Sequence, residues 1–132
     1  MTIYADNLSE IIKGLEENYW IQREAMAYIP DREHYNEDLE PLEVPKDQKP
    51  NAFDLLGAIT YFSRTPGARV SVIDMVAITI LDHYPELALQ TQMDGFTRQE
   101  TIIIWFNDKR TTTEKEVLSI LTETLQKETP LV

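Results

Sequence analysis

The sequence contains no cysteine, only four glycines and two histidines, and no long apolar run. The lack of cysteine excludes disulfide bonds, thiolate zinc sites, iron–sulfur clusters and a cysteine nucleophile. Four widely spaced glycines cannot form the glycine-rich loop that common nucleotide enzymes use for phosphate. No stretch approaches the roughly 18 consecutive apolar residues of a membrane helix, and the N-terminus resembles no signal peptide. We therefore expect a soluble, cytoplasmic protein that has no contact with a membrane.

Basic residues are also scarce, because 12 Lys and Arg stand against 23 Asp and Glu and give a net charge of −11. Affinity for nucleic acid comes mainly from Lys and Arg at the phosphates, so direct nucleic-acid binding is not expected. A chain of 132 residues forms one domain, and 42% apolar residues suffice for one hydrophobic core.

The negative charge is concentrated in the first third, where residues 1–48 carry twelve acidic and four basic side chains. Within it, residues 31–50 contain three prolines and seven acids, which predicts an exposed acidic loop. One interpretation of this charge is a solvated surface that only maintains solubility. The sharper hypothesis is that the carboxylates imitate DNA phosphates and bind a basic protein surface. The candidate partner-binding residues are Glu24, Asp31, Glu33, Glu37, Asp38, Glu40 and Glu43.

Apolar spacing predicts a mainly α fold, a compact single-domain bundle of about five helices around residues 72–81. The helices are expected over 8–18, from about 52 to 62, over 72–84, from 98 to 106 and from about 114, with a short extra helix at 86–92. The predicted N-terminal caps are Asn7, Asn51 or Asp54, Ser71, Thr97 and Thr113. Residues 19–30 fit helix or strand equally, and we favour extended structure or a short β-hairpin there. Residues 101–106 include the β-branched run 102–104, which favours a strand, but the capping box before them favours a helix.

Several short segments carry a resemblance: YWIQ at 19–22, FDLLGAI at 53–59, FND at 106–108 and RTTTEKEV at 110–117. In order, they resemble the motifs of an uncharacterised family of small proteins from bacteria, especially actinobacteria, and their phages. That family has a Gly-Trp-x-Gln-like turn, a Trp-Cys-x-x-Gly-Ala-Ile/Leu helix, and Trp-Asn-Asp followed by Arg-Thr-x-x-Glu-Val. Phe53 and Asp54 replace its Trp and Cys. The resemblance implies no biochemical role, but it implies a link to phages, whose inhibitors of host defence often mimic DNA.

Three polar or small residues in these segments invite a structural explanation. Gly57 lies in the middle of a predicted helix, where glycine costs about 1 kcal/mol relative to alanine, so we expect another helix to pass closely over Gly57 and Ala58. Asn107 and Asp108 end one helix just before the next begins, and we expect both to cap free backbone amides.

No catalytic template fits the sequence, since none of its serines lies in a nucleophile elbow and two histidines are too few for a structural zinc site. We expect no metal and no cofactor. The expected function is a small, acidic, non-enzymatic interaction protein that binds a basic protein. The alternative is a ligand-binding protein or enzyme with a pocket beside the central helix, formed by Asp82, His83 and Asp108 with Tyr61 or Tyr84. The identity of the partner and the oligomeric state stay open.

Overall fold

The computed structural model describes residues 3–29 and 48–128. The predicted acidic loop at 31–50 lies outside these residues except for its last three positions. Within the described ranges the chain forms five α-helices, one 3-10 helix and three two-residue strands, so the predicted mainly α fold with a short β element is confirmed. In chain order these are α1 (Ile3–Glu16), β1 (Tyr19–Trp20), β2 (Met26–Ala27), β3 (Ala52–Phe53), α2 (Leu55–Phe62), α3 (Pro66–His83), the 3-10 helix (Pro85–Leu89), α4 (Arg98–Asp108) and α5 (Glu114–Glu128).

The core is built around α3, which packs against each of the other four α-helices. Val72, Val76 and Ile80 are fully buried, as the predicted central position of this helix requires. The helix is not apolar and buried on every side, however. Val70 is 55% and Ile78 is 59% exposed, so the other elements of the described ranges leave part of the surface of α3 uncovered.

The predicted starts of the first and the third helix are wrong. The first helix already begins at Ile3, and Asn7 is fully buried inside it. Its Nδ2 donates to Ser63 Oγ at 3.2 Å and its Oδ1 accepts from the Arg64 amide at 2.9 Å, so Asn7 binds the end of α2 and caps nothing in its own helix.

The third helix begins at Pro66, six residues before the predicted start. Thr65 is its N-cap and accepts from the Ala68 amide at 3.0 Å, while Pro66 occupies the first turn, where its missing N–H costs nothing. Ser71 is therefore an interior residue of α3.

The small sheet has the order β1-β3-β2, with β3 parallel to β1 and antiparallel to β2. The predicted extended structure is present at 19–20 and 26–27, but β1 and β2 do not pair with each other, so the predicted hairpin is wrong. Ala52–Phe53 belongs to the central strand, which delays the start of α2 to Leu55. Asn51, the residue before β3, holds the chain that follows β2. Its Oδ1 accepts from the Ile29 amide at 2.7 Å, and its Nδ2 donates to the Ile29 carbonyl at 2.8 Å.

Gly57 is indeed a point of close approach, but the neighbour is a peptide and not a helix. A Cβ on Gly57 would lie 1.8 Å from the carbonyl oxygen of Ala25, just before β2. The same carbonyl accepts from the Asp54 amide at 3.1 Å. The absence of a side chain at Gly57 therefore lets the segment before β2 lie against the first turn of α2.

The capping box at α4 is confirmed, since Thr97 accepts from the Glu100 amide and Glu100 accepts from the Thr97 amide. None of the helices in the two described ranges is both long enough and apolar enough to cross a membrane.

Candidate functional site

Within the described ranges, the candidate functional residues predicted from the sequence do not lie together in the structure. Glu24 is exposed in the turn between β1 and β2. Asp82 and His83 lie in the last turn of α3, and Asp108 is the last residue of α4. The remaining candidates for partner binding lie outside the described residues: Asp31, Glu33, Glu37, Asp38, Glu40 and Glu43.

The last turn of α3 is joined to α5 by a histidine–carboxylate contact and by a lysine–aspartate ion pair. His83 Nε2 lies 2.9 Å from Glu123 Oε2, and Lys127 Nζ lies 2.7 Å from Asp82 Oδ2. All four side chains are 39–57% exposed, so each pair contributes less than about 1 kcal/mol. Both pairs lie where one face of α5 meets the end of α3.

A cavity of about 170 Å³ opens next to these pairs, among the ends of α3 and α4 and the middle of α5. His83 and Tyr84 form one wall, and Glu116, Ser119 and Glu123 form the other. Phe106 and Ile120, which are 0% and 6% exposed, form its apolar base. Of the three residues predicted to share a pocket, His83 lines this cavity, whereas Asp82 and Asp108 do not.

At the cavity, Tyr84 is hydrogen-bonded to an acidic side chain. Its hydroxyl donates to Glu116 Oε2 at 2.8 Å. This hydrogen bond raises the pKa of Tyr84, with smaller contributions from burial and from the charges of Glu116 and Glu86. The ring stacks beside Phe106 at 5.5 Å between centroids, and Lys109 Nζ lies over it at 4.0 Å. The aromatic wall therefore already attracts one cation.

The α5 side of the cavity was missed from the sequence. Glu116, Ser119, Ile120 and Glu123 follow the i, i+3, i+4, i+7 spacing of one helix face. The apolar spacing of this helix predicts only its buried face. The neighbouring face combines polar residues with one apolar residue, which is typical of ordinary solvated surface. Only the position of α3 shows that this face borders a cavity.

A second polar cluster lies at the other side of the end of α4, around Asn107. This side chain is fully buried, and its Oδ1 accepts from Trp20 Nε1 at 2.7 Å and from the Leu55 amide at 2.9 Å. Its Nδ2 donates to the Ile21 carbonyl at 3.2 Å and to Asp108 Oδ1 at 3.0 Å. Asn107 thus caps an amide as predicted, but the helix is α2, which is distant in sequence, and not α5.

Asp108 holds the turn that follows β1. Its Oδ1 accepts from the Arg23 amide at 2.8 Å, and Arg23 has φ +72°, the left-handed conformation that a residue with a side chain seldom adopts. Gln22 adds hydrogen bonds from Nε2 to the carbonyls of Asn107 at 2.9 Å and Lys109 at 2.8 Å. The polar side chains here satisfy backbone groups, which is a structural role.

Asp54 completes this cluster as the N-cap of α2, as predicted, and accepts from the Gly57 amide at 2.6 Å. Burial raises its pKa to about 7, the Gly57 hydrogen bond opposes this shift, and the nearby charge of Asp108 adds to it. The segments 19–22, 53–59 and 106–108 therefore meet at one place, around Asn107.

Among residues 3–29 and 48–128, no group of three or more His, Cys, Asp or Glu side chains is placed to hold a metal ion. No protein-family model, curated protein or solved structure matches the chain. The two features of the chain that bear on its function are therefore its charge distribution and the cavity beside His83.

Proposed function

We propose that the protein is a small, acidic, non-enzymatic interaction protein that binds a basic surface of another protein, as an inhibitor or adaptor that imitates DNA. The observation that carries this proposal is the net charge of −8 on residues 1–48. In the described part of that region, Glu16, Glu17 and Glu24 are exposed. Concentrated surface charge of one sign accelerates and orients association with a partner of opposite sign.

The resemblance to a bacterial and phage family belongs to the same proposal. Its three best-matched segments, 19–22, 53–59 and 106–108, contact one another around Asn107. This supports a core arrangement shared with that family, and it leaves the exposed side chains of Glu16, Glu17 and Glu24 outside that core.

Charge reversal within the acidic segment tests this proposal. The triple variant Glu37→Lys, Asp38→Lys and Glu40→Lys should lose a partner that the wild-type protein captures from a bacterial lysate. The matched control is Asp74→Lys, Glu86→Lys and Asp94→Lys, which changes the net charge equally at exposed positions elsewhere. Capture by the control should persist, and capture by the wild type should weaken at high salt because salt screens exposed charges.

Three results would contradict the proposal. The wild type captures no partner, the triple variant at 37, 38 and 40 captures it at the wild-type level, or both triple variants lose capture equally. Adding duplex DNA separates the finer claim from the coarser one. If DNA displaces the partner, the acidic surface competes for a DNA-binding groove. If it does not, DNA mimicry fails while binding to a basic partner stands.

The cavity beside His83 favours a second candidate function, the binding of a small ligand. It is concave, has an apolar base of Phe106 and Ile120, and has polar groups on two walls, as ligand sites generally do. Its volume of about 170 Å³ lies below the roughly 300 Å³ at which sites for drug-sized ligands begin. A small group fits it, whereas a nucleotide or flavin does not.

A further inference from the structure

The cavity at the end of α3 offers a specific arrangement of charge and apolar surface. Glu116 and Glu123 are two turns apart on α5, with Ser119 between them, and all three face His83 and Tyr84 across the opening. Beneath them lie the buried side chains of Phe106 and Ile120. A ligand that fits this arrangement has a positively charged head at the rim and an apolar stem at the base.

We propose that this cavity binds an organic cation with an alkyl stem, an alkylguanidinium or alkylammonium group, held between the carboxylates of Glu116 and Glu123. This inference rests on the second proposed function, ligand binding at the same cavity. It adds the charge and the shape of the ligand.

The carboxylates have oxygen atoms available for such a head. Glu116 uses only Oε2 for the Tyr84 hydroxyl among the contacts of the described chain, so Oε1 is left for a donor on the ligand. Glu123 is shared with His83, whose Nε2 lies 2.9 and 3.1 Å from its two oxygens, and it is 39% exposed. Guanidinium and ammonium groups form their strongest hydrogen bonds with carboxylates, and guanidinium can do so with two parallel bonds.

The surrounding charges favour a cation over an anion. The hydrogen bond to Glu116 raises the pKa of Tyr84, and the charges of Glu116 and Glu86 act in the same direction, as negative charge beside a phenol does. His83, which is positively charged only when it is protonated, is bound to Glu123, and the two lysines nearby are Lys109, which lies over the Tyr84 ring at 4.0 Å, and Lys127, which is paired with Asp82. Neither lysine lines the cavity.

The size of the cavity limits the ligand. A cavity of about 150 Å³ accommodates benzene, so about 170 Å³ accommodates roughly six to eight non-hydrogen atoms. Butylguanidinium and an arginine side chain are of this size, and butylammonium is slightly smaller. The same chemistry therefore has two sources, a free small molecule or an arginine on the basic protein partner.

Titration of the full-length, nitrogen-15-labelled protein with four probes of similar length tests the inference. Butylguanidinium and butylammonium should give saturable shifts of the amides of Tyr84, Ser119 and Ile120 at millimolar concentration, at constant ionic strength. Pentanoate and 1-pentanol should bind at least tenfold more weakly. If either binds as tightly as the cations, the cavity is a ligand site but its selection for cations is refuted. If no probe shifts these amides, ligand binding at this cavity fails as well.

Variants of matched charge test the role of the two carboxylates. The double variant Glu116→Gln and Glu123→Gln should weaken binding of butylguanidinium at least tenfold. The control Asp82→Asn and Glu114→Gln removes the same charge near the cavity from residues that do not line it, and should change the affinity less than twofold. An equal loss in both double variants would assign the effect to overall charge and overturn the inference. Both double variants should keep the wild-type amide spectrum away from the changed positions.

A third arm identifies the source of the cation. A blocked Gly-Arg-Gly peptide presents the same guanidinium on a polypeptide. If it shifts the same amides with an affinity near that of butylguanidinium, a partner's arginine can reach the base of the cavity. If only butylguanidinium binds, the source is a free small molecule, and the inference stands in that form.

Discussion

Asn107 accepts a hydrogen bond from the indole of Trp20 at 2.7 Å, across 87 positions of sequence. The same oxygen accepts from the Leu55 amide, which has no partner within its own helix because it lies in the first turn of α2. One amide side chain thus connects β1, α2 and α4. This contact ties the small sheet to the helical core.

We predict that Asn107→Ala is among the most destabilising single changes in the protein. It leaves Trp20 Nε1, the Leu55 amide and the Ile21 carbonyl without their partner, and each orphaned buried group costs about 1–3 kcal/mol. The free energy of unfolding in urea should fall by about 3–5 kcal/mol. The Trp20 indole proton should move in an NMR spectrum of the variant.

Asn18→Ala is the matched control for this prediction. Asn18 makes one side-chain hydrogen bond, to the Gly14 carbonyl at the end of α1, so its loss should cost less than about 1.5 kcal/mol. Equal costs for the two alanine variants would show that Asn107 does not hold the elements together.

We predict opposite effects for alanine at two glycines. Gly57→Ala should destabilise the protein by more than about 2 kcal/mol, because the new Cβ would overlap the Ala25 carbonyl oxygen at 1.8 Å and the backbone there must move. Gly67→Ala should stabilise it by about 0.5–1 kcal/mol, since the nearest atom lies 4.0 Å away and alanine favours the helix. Thermal unfolding of both variants measures the difference. A stabilised Gly57→Ala variant would refute the close packing of residue 25 on α2.

We predict that Arg23→Gly is more stable than Arg23→Ala by about 1 kcal/mol. Arg23 has φ +72°, where a Cβ is strained and glycine is not. The neighbouring pair Glu24→Gly and Glu24→Ala is the control, because Glu24 has no positive φ and glycine there should be the less stable of the two. Chemical unfolding of the four variants gives both differences, and the same order at both positions would argue against a strained turn.

We predict that Asp54 makes the protein less stable as the pH rises. Its pKa is about 7 in the folded protein and near 3.8 in the unfolded chain, so between these values the folded state binds the extra proton. The contribution of Asp54 is therefore full below about pH 4 and is lost as the pH rises through 7. The free energy of unfolding should fall by up to about 4 kcal/mol over this window.

Asp54→Asn isolates this effect. Asparagine keeps an oxygen for the Gly57 amide and carries no charge, so the variant should lack this decline and exceed the wild type in stability at pH 8. The pKa of Glu100 is lowered in the folded state, so Glu100 makes the wild type and the variant alike less stable as the pH falls. The quantity to measure is therefore the difference between their free energies of unfolding at each pH. A difference that does not change between pH 4 and 8 would show that Asp54 is ionised throughout.

The elements that were correctly predicted are those with local signals. The Thr97 capping box identifies α4 even though the β-branched run that follows it favours a strand, because the hydrogen bonds of the box involve a neighbour three residues away. Asp54 is recognisable as a cap for the same reason. Where two local signals compete, as between Thr65 with Pro66 and the later Ser71, the choice depends on which turn packs on the rest of the core.

The errors share a different cause. Asn7 looks like a helix cap in sequence, but its partners are Ser63 and Arg64, 56 and 57 positions away. Ala52–Phe53 looks like the start of a helix, but β1 and β2 supply its hydrogen bonds from both sides. A polar or extended residue satisfied at long range carries no periodic pattern, so its role is invisible until the chain is folded.

By itself, the sequence determined the helical class of the protein, the concentration of negative charge in its first third and the caps at Asp54 and Thr97, because these depend on composition and on contacts within one turn. Only the tertiary structure decided that Asn107 joins three elements, that Gly57 admits a peptide, and that Glu116 and Glu123 border a cavity with His83. Each of these depends on how separate helices lie against one another, and that arrangement follows from the packing of the whole core.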